Sequence, residues 1–405
     1  MLTLRGSQKP RRGDTLTNLG ILRDGAILIH DGRVTEVGPS RRVENLGLAR
    51  YAREIDATGC IVMPGFVDCH THLVSAAACR DNREARGLSV SEDADLVSLV
   101  SARHLETQSR KLLHGMMRHG TTTLECKTGY GLDEGRELRI LRMLANLHQG
   151  PLDIVASFVN PRSSRHLRRD DLRVYCEWVC NDFMPKVKGK DLVRFAEFDP
   201  GSDLMACEER FLDTAKRLGF QLKFCARGDR TKQIVQLALQ WGAVSVGHLD
   251  YADARDVELL ATSETVPVLL PGESFYMGSG RPTLARELID AGAAVALATA
   301  SHPATAPSYS MQMMLSLGST LFHMTAEEVI CAATWNAACA IGAQKTAGSI
   351  ECGKPADLVI LNVTDYHDLP NCFGVNLVRR TIKRGATVYE EKEPGEPPHR
   401  GLCCQ

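Results

Sequence analysis

Several features are missing from this 405-residue chain, and each absence excludes something. There is no long run of lysine or arginine, and 48 basic residues against 49 acidic ones leave a net charge of -1. That balance argues against a general nucleic-acid or membrane-surface partner. No apolar run is long enough to cross a bilayer, and the opening MLTLRGSQKPRRGD has no apolar core of the kind a signal peptide needs. Neither an internal repeat nor a low-complexity stretch is present. The 14 cysteines show no tight spacing pattern. Cys176 and Cys180 stand at helical i, i+4 spacing without a matching pair downstream. Cys403 and Cys404 fall one residue short of a prenylation signal. Free thiols in a reducing cytosol, many of them filling core space, account for this usage, and a cytoplasmic protein is expected.

The composition is that of an ordinary globular protein, 44% hydrophobic and 24% charged. Its length suits two or three domains, or one large barrel with an attachment. Both ends read as short β-strands. Residues 20–38 alternate apolar runs with Asp-Gly turns, and 349–363 and 378–391 read the same way, as β-hairpins. The middle alternates short apolar runs with helical patterns. Strands are expected at 62–68, 121–126, 152–158, 192–198, 221–226, 243–248, 266–270 and 293–299. A helix is expected over 133–148, with acids in its first turn and Leu138, Leu141 and Leu144 at core spacing. About eight strand–helix units argue for a closed parallel (β/α)8 TIM barrel, whose chemistry sits at the C-terminal strand ends. The expected organisation is a barrel over 63–345, flanked by two parts of one β-sandwich domain, 1–62 and 346–405.

The first barrel strand ends in MPGFVDCHTHLV, where His70 and His72 stand at i and i+2. On a strand that spacing turns both imidazoles to one face, which is the geometry of a metal-ligand pair. The alternative is a pair of core-facing, hydrogen-bonded histidines.

With the barrel and this pair, PGFVDCHTHLV, TTTLECKTGYGL, VPVLLPGESFY, ATWNAACAIG and GSIECGKPADLVIL resemble the amidohydrolase superfamily, and more narrowly the imidazolonepropionase family, over about residues 20–385. The resemblance implies a barrel hydrolase that opens a cyclic C–N bond with water on a zinc or iron(II) ion. Such an ion lowers the pKa of its water and polarises the carbonyl, while a carboxylate moves the proton. The family's ligands are the HxH pair, a histidine ending strand 5 and an aspartate ending strand 8 that doubles as proton shuttle. A strand-6 histidine assists.

Measured against that pattern, the chain keeps His70, His72 and His248, and it keeps Tyr130 as a substrate contact implied by the resemblance. It departs elsewhere. Cys225 stands at the strand-5 histidine, Arg227 and Gly228 at the aspartate and glutamate that follow, and Gly247 at the aspartate before His248. Ala300 stands at the shuttle aspartate, with His302 two residues on. Arg162 replaces a pocket histidine. Cys79 aligns with the arginine that holds the substrate carboxylate, and Arg80 follows it. A thiolate can ligate zinc, whereas a methyl group can neither ligate nor carry a proton. Loss of the shuttle alone removes roughly 10²–10⁴ in rate. His302 reads as a loop histidine, and Asp250 either points inward or caps the following helix. If Arg162 and Arg227 both face the barrel mouth, they make it suited to an anion and hostile to a divalent ion; the alternative is a pair of surface arginines.

Two readings remain open at this stage. In one, a rebuilt hydrolase holds zinc on His70, His72, Cys225 and His248, with His248 also catalytic and His302 assisting. In the other, a non-catalytic relative binds a small anionic molecule or a protein partner through Tyr130, Arg162 and Arg227; Arg80 is a further candidate for substrate binding. The resemblance also implies a homodimer.

Overall fold

The computed structural model describes residues 1–76, 78, 93, 96–97, 99–128, 134–159, 169–199, 205–278, 281 and 284–391. Arg80, Tyr130 and Arg162, three of the residues singled out above, lie outside the described residues. The central sheet has eight strands, paired in chain order and all parallel. They are β4 (Phe66–Thr71), β5 (Thr121–Lys127), β6 (Asp153–Val159), β7 (Phe195–Phe198), β8 (Gln221–Cys225), β9 (Ser245–Gly247), β10 (Val266–Leu269) and β11 (Ala296–Leu297). Each expected strand is matched by one of these.

The first and last strands meet through side chains and backbone. Asp68 on β4 accepts from the Thr299 backbone N–H at 3.1 Å and from the Thr299 hydroxyl at 2.5 Å. His72 N–H donates to the Ser301 carbonyl at 3.0 Å. Burial pushes the Asp68 carboxyl up to about 7, against the Thr299 and His70 hydrogen bonds that favour its charge.

Every residue of β4 and β5 is buried, as strands covered on both faces must be. The covering helices show why. α1 (Ala102–Arg118) turns Leu105, Ser109, Leu113 and Met116 inward at helical spacing, and Ser101 caps its start by accepting from His104 N–H. α2 (Glu134–His148) buries Leu138, Leu141, Leu144 and Leu147 in the same way.

Both chain ends build one additional antiparallel sheet. β3 (Ile61–Pro64) pairs with β12 (Leu358–Leu361), and β13 (Val378–Lys383) and β14 (Ala386–Glu390) continue the order. The hairpin of β1 (Gly25–His30) and β2 (Arg33–Pro39) joins them across a core of Val34, Val37, Ile350, Leu358, Ile360 and Ile382. Asp31 and Gly32 both take positive φ, as a two-residue hairpin turn requires.

Two sequence readings are corrected here. The run 62–68 is two strands, broken at Gly65. There the backbone passes so close to Thr122 that a Cβ would lie 2.2 Å from that side chain, so only glycine can make the step from sheet to barrel. Residues 349–363 form one strand rather than a hairpin, because turns at 351–354 carry the chain directly into β12.

Candidate active site

The C-terminal ends of the strands gather four histidines. The His70 and His72 rings lie 5.5 Å apart between centroids, His70 and His248 lie 5.0 Å apart, and His72 and His302 lie 5.5 Å apart. All four are buried. His302 lies in the loop after β11, as expected, but it reaches inward. It is fully enclosed, with Nε2 3.3 Å from Asp93 and Nδ1 accepting from Ala304 N–H. Its partner Asp93 comes from a segment that gave no sequence signal.

The backbone at the ends of β9 and β11 is strained in the same sense. His248 has φ +56° and Ala300 φ +53°, in the left-handed region that non-glycine residues seldom enter. Such strain, costing about 1–2 kcal/mol per residue, collects at sites whose geometry is dictated by function. The frame of an active site is thus retained even though Ala300 brings only a methyl group, packed in an apolar cluster.

Around His248 the chain has built an ion cluster. Glu273, from the short helix α3 (Pro271–Met277), places Oε2 3.2 Å from His248 Nδ1. One Arg227 guanidinium nitrogen lies 3.3 Å from Nδ1 and 3.0 Å from Nε2 of the same ring, and Arg227 lies 3.8 Å from Glu273. Cys225 lies near enough to both Arg227 and His248 to favour their charged forms. Burial and Arg227 disfavour the imidazolium of His248, but Cys225 and Glu273 outweigh them and hold its pKa at about 10. Burial would raise Glu273, yet His248, Arg227 and His302 hold it at about 2. A carboxylate so far below neutrality is a poor proton acceptor at pH 7. Asp199 faces Arg227 as well, and Asp250 is pushed upward by burial against the pull of His248. The mouth around Arg227 is therefore not simply positive, because Glu273 and Asp199 balance the cations.

A second cluster of four buried charges crosses the barrel interior. Lys127 on β5 pairs with Glu125 at 3.0 Å and closely with Glu197 on β7. Lys223 on β8 reaches Glu125 at 3.2 Å and donates to the Cys69 carbonyl at 3.0 Å. Burial would raise Glu125, but Lys127 and Lys223 hold it low. His70 is pushed well below its ordinary pKa by burial first and then by Lys127 and His248, so its ring is neutral at pH 7, and its Nε2 has no hydrogen-bond partner.

The donor set was tested against the ion that the resemblance implies. His70 offers an open buried nitrogen and His72 stands beside it. Cys225 and His248 lie beside Arg227, and Ala300 offers nothing. A divalent ion on His248 Nε2, bound at ~2.1 Å, would stand within about 5 Å of the guanidinium nitrogen. At an effective dielectric of ~20 the repulsion is on the order of 6 kcal/mol, before Glu273 and solvent reduce it. Among the described residues, no three His, Cys, Asp or Glu side chains are grouped to hold a metal. The residues present do not fit the ion.

The sequence pointed to His70, His72, His248, Cys225 and Arg227, and the described structure sets His70, His72 and His248 together and Cys225 and Arg227 against His248. It gave no notice of Glu273, Asp93 or Asp199. Glu273 stood inside the quoted VPVLLPGESFY, but nothing in the run told which residue would turn to the site. Glu125 and Lys127 carried a usable signal, two charges at i and i+2 on a strand and so on one face.

The model of the amidohydrolase family matches residues 61–388. An imidazolonepropionase from Bacillus velezensis is 35% identical over 408 residues, covering 97% of this chain and 96% of that protein. One from Alkaliphilus metalliredigens is 31% identical, covering 96% of each. Among solved structures, Escherichia coli guanine deaminase superposes with a TM-score of 0.69 at 17% identity, over 96% of this chain and 97% of that one. A zinc-bound adenosine deaminase from Xanthomonas campestris gives 0.69 at 18%, over 90% and 88%. At these identities the two structures share the fold.

Proposed function

The chain belongs to the amidohydrolase family and, within it, to the imidazolonepropionases, and from that premise we propose that its barrel mouth binds a small ring-bearing carboxylate without opening the ring. The observation that carries this is Ala300. At the end of the last barrel strand, where a proton shuttle is required, a buried methyl group sits on backbone still held at φ +53°. The nearby carboxylate that could substitute, Glu273, is tied to His248 and Arg227 and held at about 2. With a methyl group at 300 and Glu273 held so low, the water's proton has no carboxylate acceptor at the shuttle position. Arg227, partly exposed at the mouth, leaves recognition of an anion chemically reasonable. Arg80, Tyr130 and Arg162 would add to it. The ligand class is the one named in the relatives, imidazolone propionate and similar ring acids. Cytosolic residence fits a chain in which no described helix is long and apolar enough to cross a membrane.

Incubation with imidazolone propionate tests the proposal through two readouts. The thermal midpoint is expected to rise with ligand, and NMR is expected to recover the ring intact. Ring opening that disappears in His70→Ala would overturn the proposal.

One observation favours a second reading. The unpartnered Nε2 of neutral, buried His70 is what a ligand to zinc would look like without its ion. In that reading His70, His72 and a released Cys225 would hold the metal in a rebuilt hydrolase.

A further inference from the structure

We infer that Arg227 is the resident cation of this site, occupying by charge the role of the divalent ion and keeping zinc out. Of the four side chains that could donate to an ion here, His70, His72, Cys225 and His248, the last two lie beside one guanidinium. It lies 3.0 Å from His248 Nε2 and 3.3 Å from Nδ1, and the buried Cys225 sulfur is near enough to favour its charge. The carboxylates facing it, Glu273 at 3.8 Å and Asp199, supply the negative charge that a divalent ion would otherwise need from its ligands. The guanidinium is planar, permanently charged and more weakly hydrated than an ammonium, so it tolerates a half-enclosed place among imidazole, thiol and carboxylate. Arg227 immediately follows β8 by one intervening residue, Ala226, so the strand itself aims it at the barrel mouth. What remains beside it, His70 with an open Nε2 and His72, is an incomplete ligand set that Arg227 holds incomplete.

This inference goes beyond the proposed function and can be tested without any organic ligand, so the two fail separately. The full chain is titrated with zinc alone against a chromophoric chelator, and folding is monitored by circular dichroism. The wild type is expected to leave the zinc with the chelator. Arg227→Met is expected to bind one zinc per chain at least about 100-fold more tightly, since each 1.4 kcal/mol of removed repulsion is worth tenfold. Arg227→Met combined with His70→Ala is expected to lose that gain. Arg227→Lys, which keeps the charge, is expected to behave as wild type. Arg227→Gln keeps a hydrogen-bond donor toward Glu273 and is the second neutral variant, read in the same way if the methionine variant does not fold. The inference is overturned by stoichiometric zinc on the wild type that His70→Ala removes, or by folded neutral variants that bind zinc no better than the wild type.

Discussion

Glu273 holds two positive groups at once, His248 at 3.2 Å and Arg227 at 3.8 Å, and it is itself largely enclosed. Neutralising it strands the buried His248, while Arg227 keeps its solvent contact. Breaking a buried charge pair from one side costs about 3–5 kcal/mol, because the remaining charge stays buried without compensation. Glu273→Gln is therefore expected to lower the unfolding free energy by about 3 kcal/mol, read as a shift of the urea midpoint at constant slope. A change below about 0.5 kcal/mol would show that the cluster is solvated and loose. The same residue marks what was hidden in the sequence. Ala300 and Cys225 were conspicuous because they stood in motifs where another side chain belongs. Glu273 stood in a motif too, but its value comes from Arg227, forty-six positions earlier, and no local pattern links the two.

The strands were legible because their apolar runs are short and bounded by turns, and each lies within a few residues of its expected place. The break within 62–68 was not, since it depends on the contact of Gly65 with Thr122 across the sheet. The charged residues inside the barrel show the same limit. Glu125 and Lys127 share a face of β5 by their spacing, but that Glu197 on β7 and Lys223 on β8 complete the cluster follows only from sheet order. Because these groups form one network across three strands, their contributions are not independent. Lys127→Met and Glu197→Leu are each expected to destabilise by about 3 kcal/mol or more, since each leaves a buried charge behind. The double variant is expected to cost at least about 2 kcal/mol less than the sum. Additive costs in the denaturation curves would mean that Lys127 and Glu197 do not act as a pair.

At the scale of the molecule, the barrel and its added sheet are one unit. β3 leads directly into the first barrel strand, while its partner β12 comes from the far end of the chain. Lys383 on β13 bridges Asp357 and, across to the barrel, Asp153. Such a frame fixes the strand ends, and with them the backbone at His248 and Ala300, whatever side chains they carry. A retained barrel is for that reason no proof of a retained reaction. The account stands on the mouth holding a guanidinium where its relatives' pattern places an ion's ligands. The most direct measurement is a crystal structure of the zinc-soaked protein with data collected at the zinc absorption edge. The expected result is Arg227 in contact with His248 and no anomalous peak beside His70, His72 or Cys225. A zinc peak joining His70 and His72, with Arg227 swung away and a carboxylate completing the site, would contradict it.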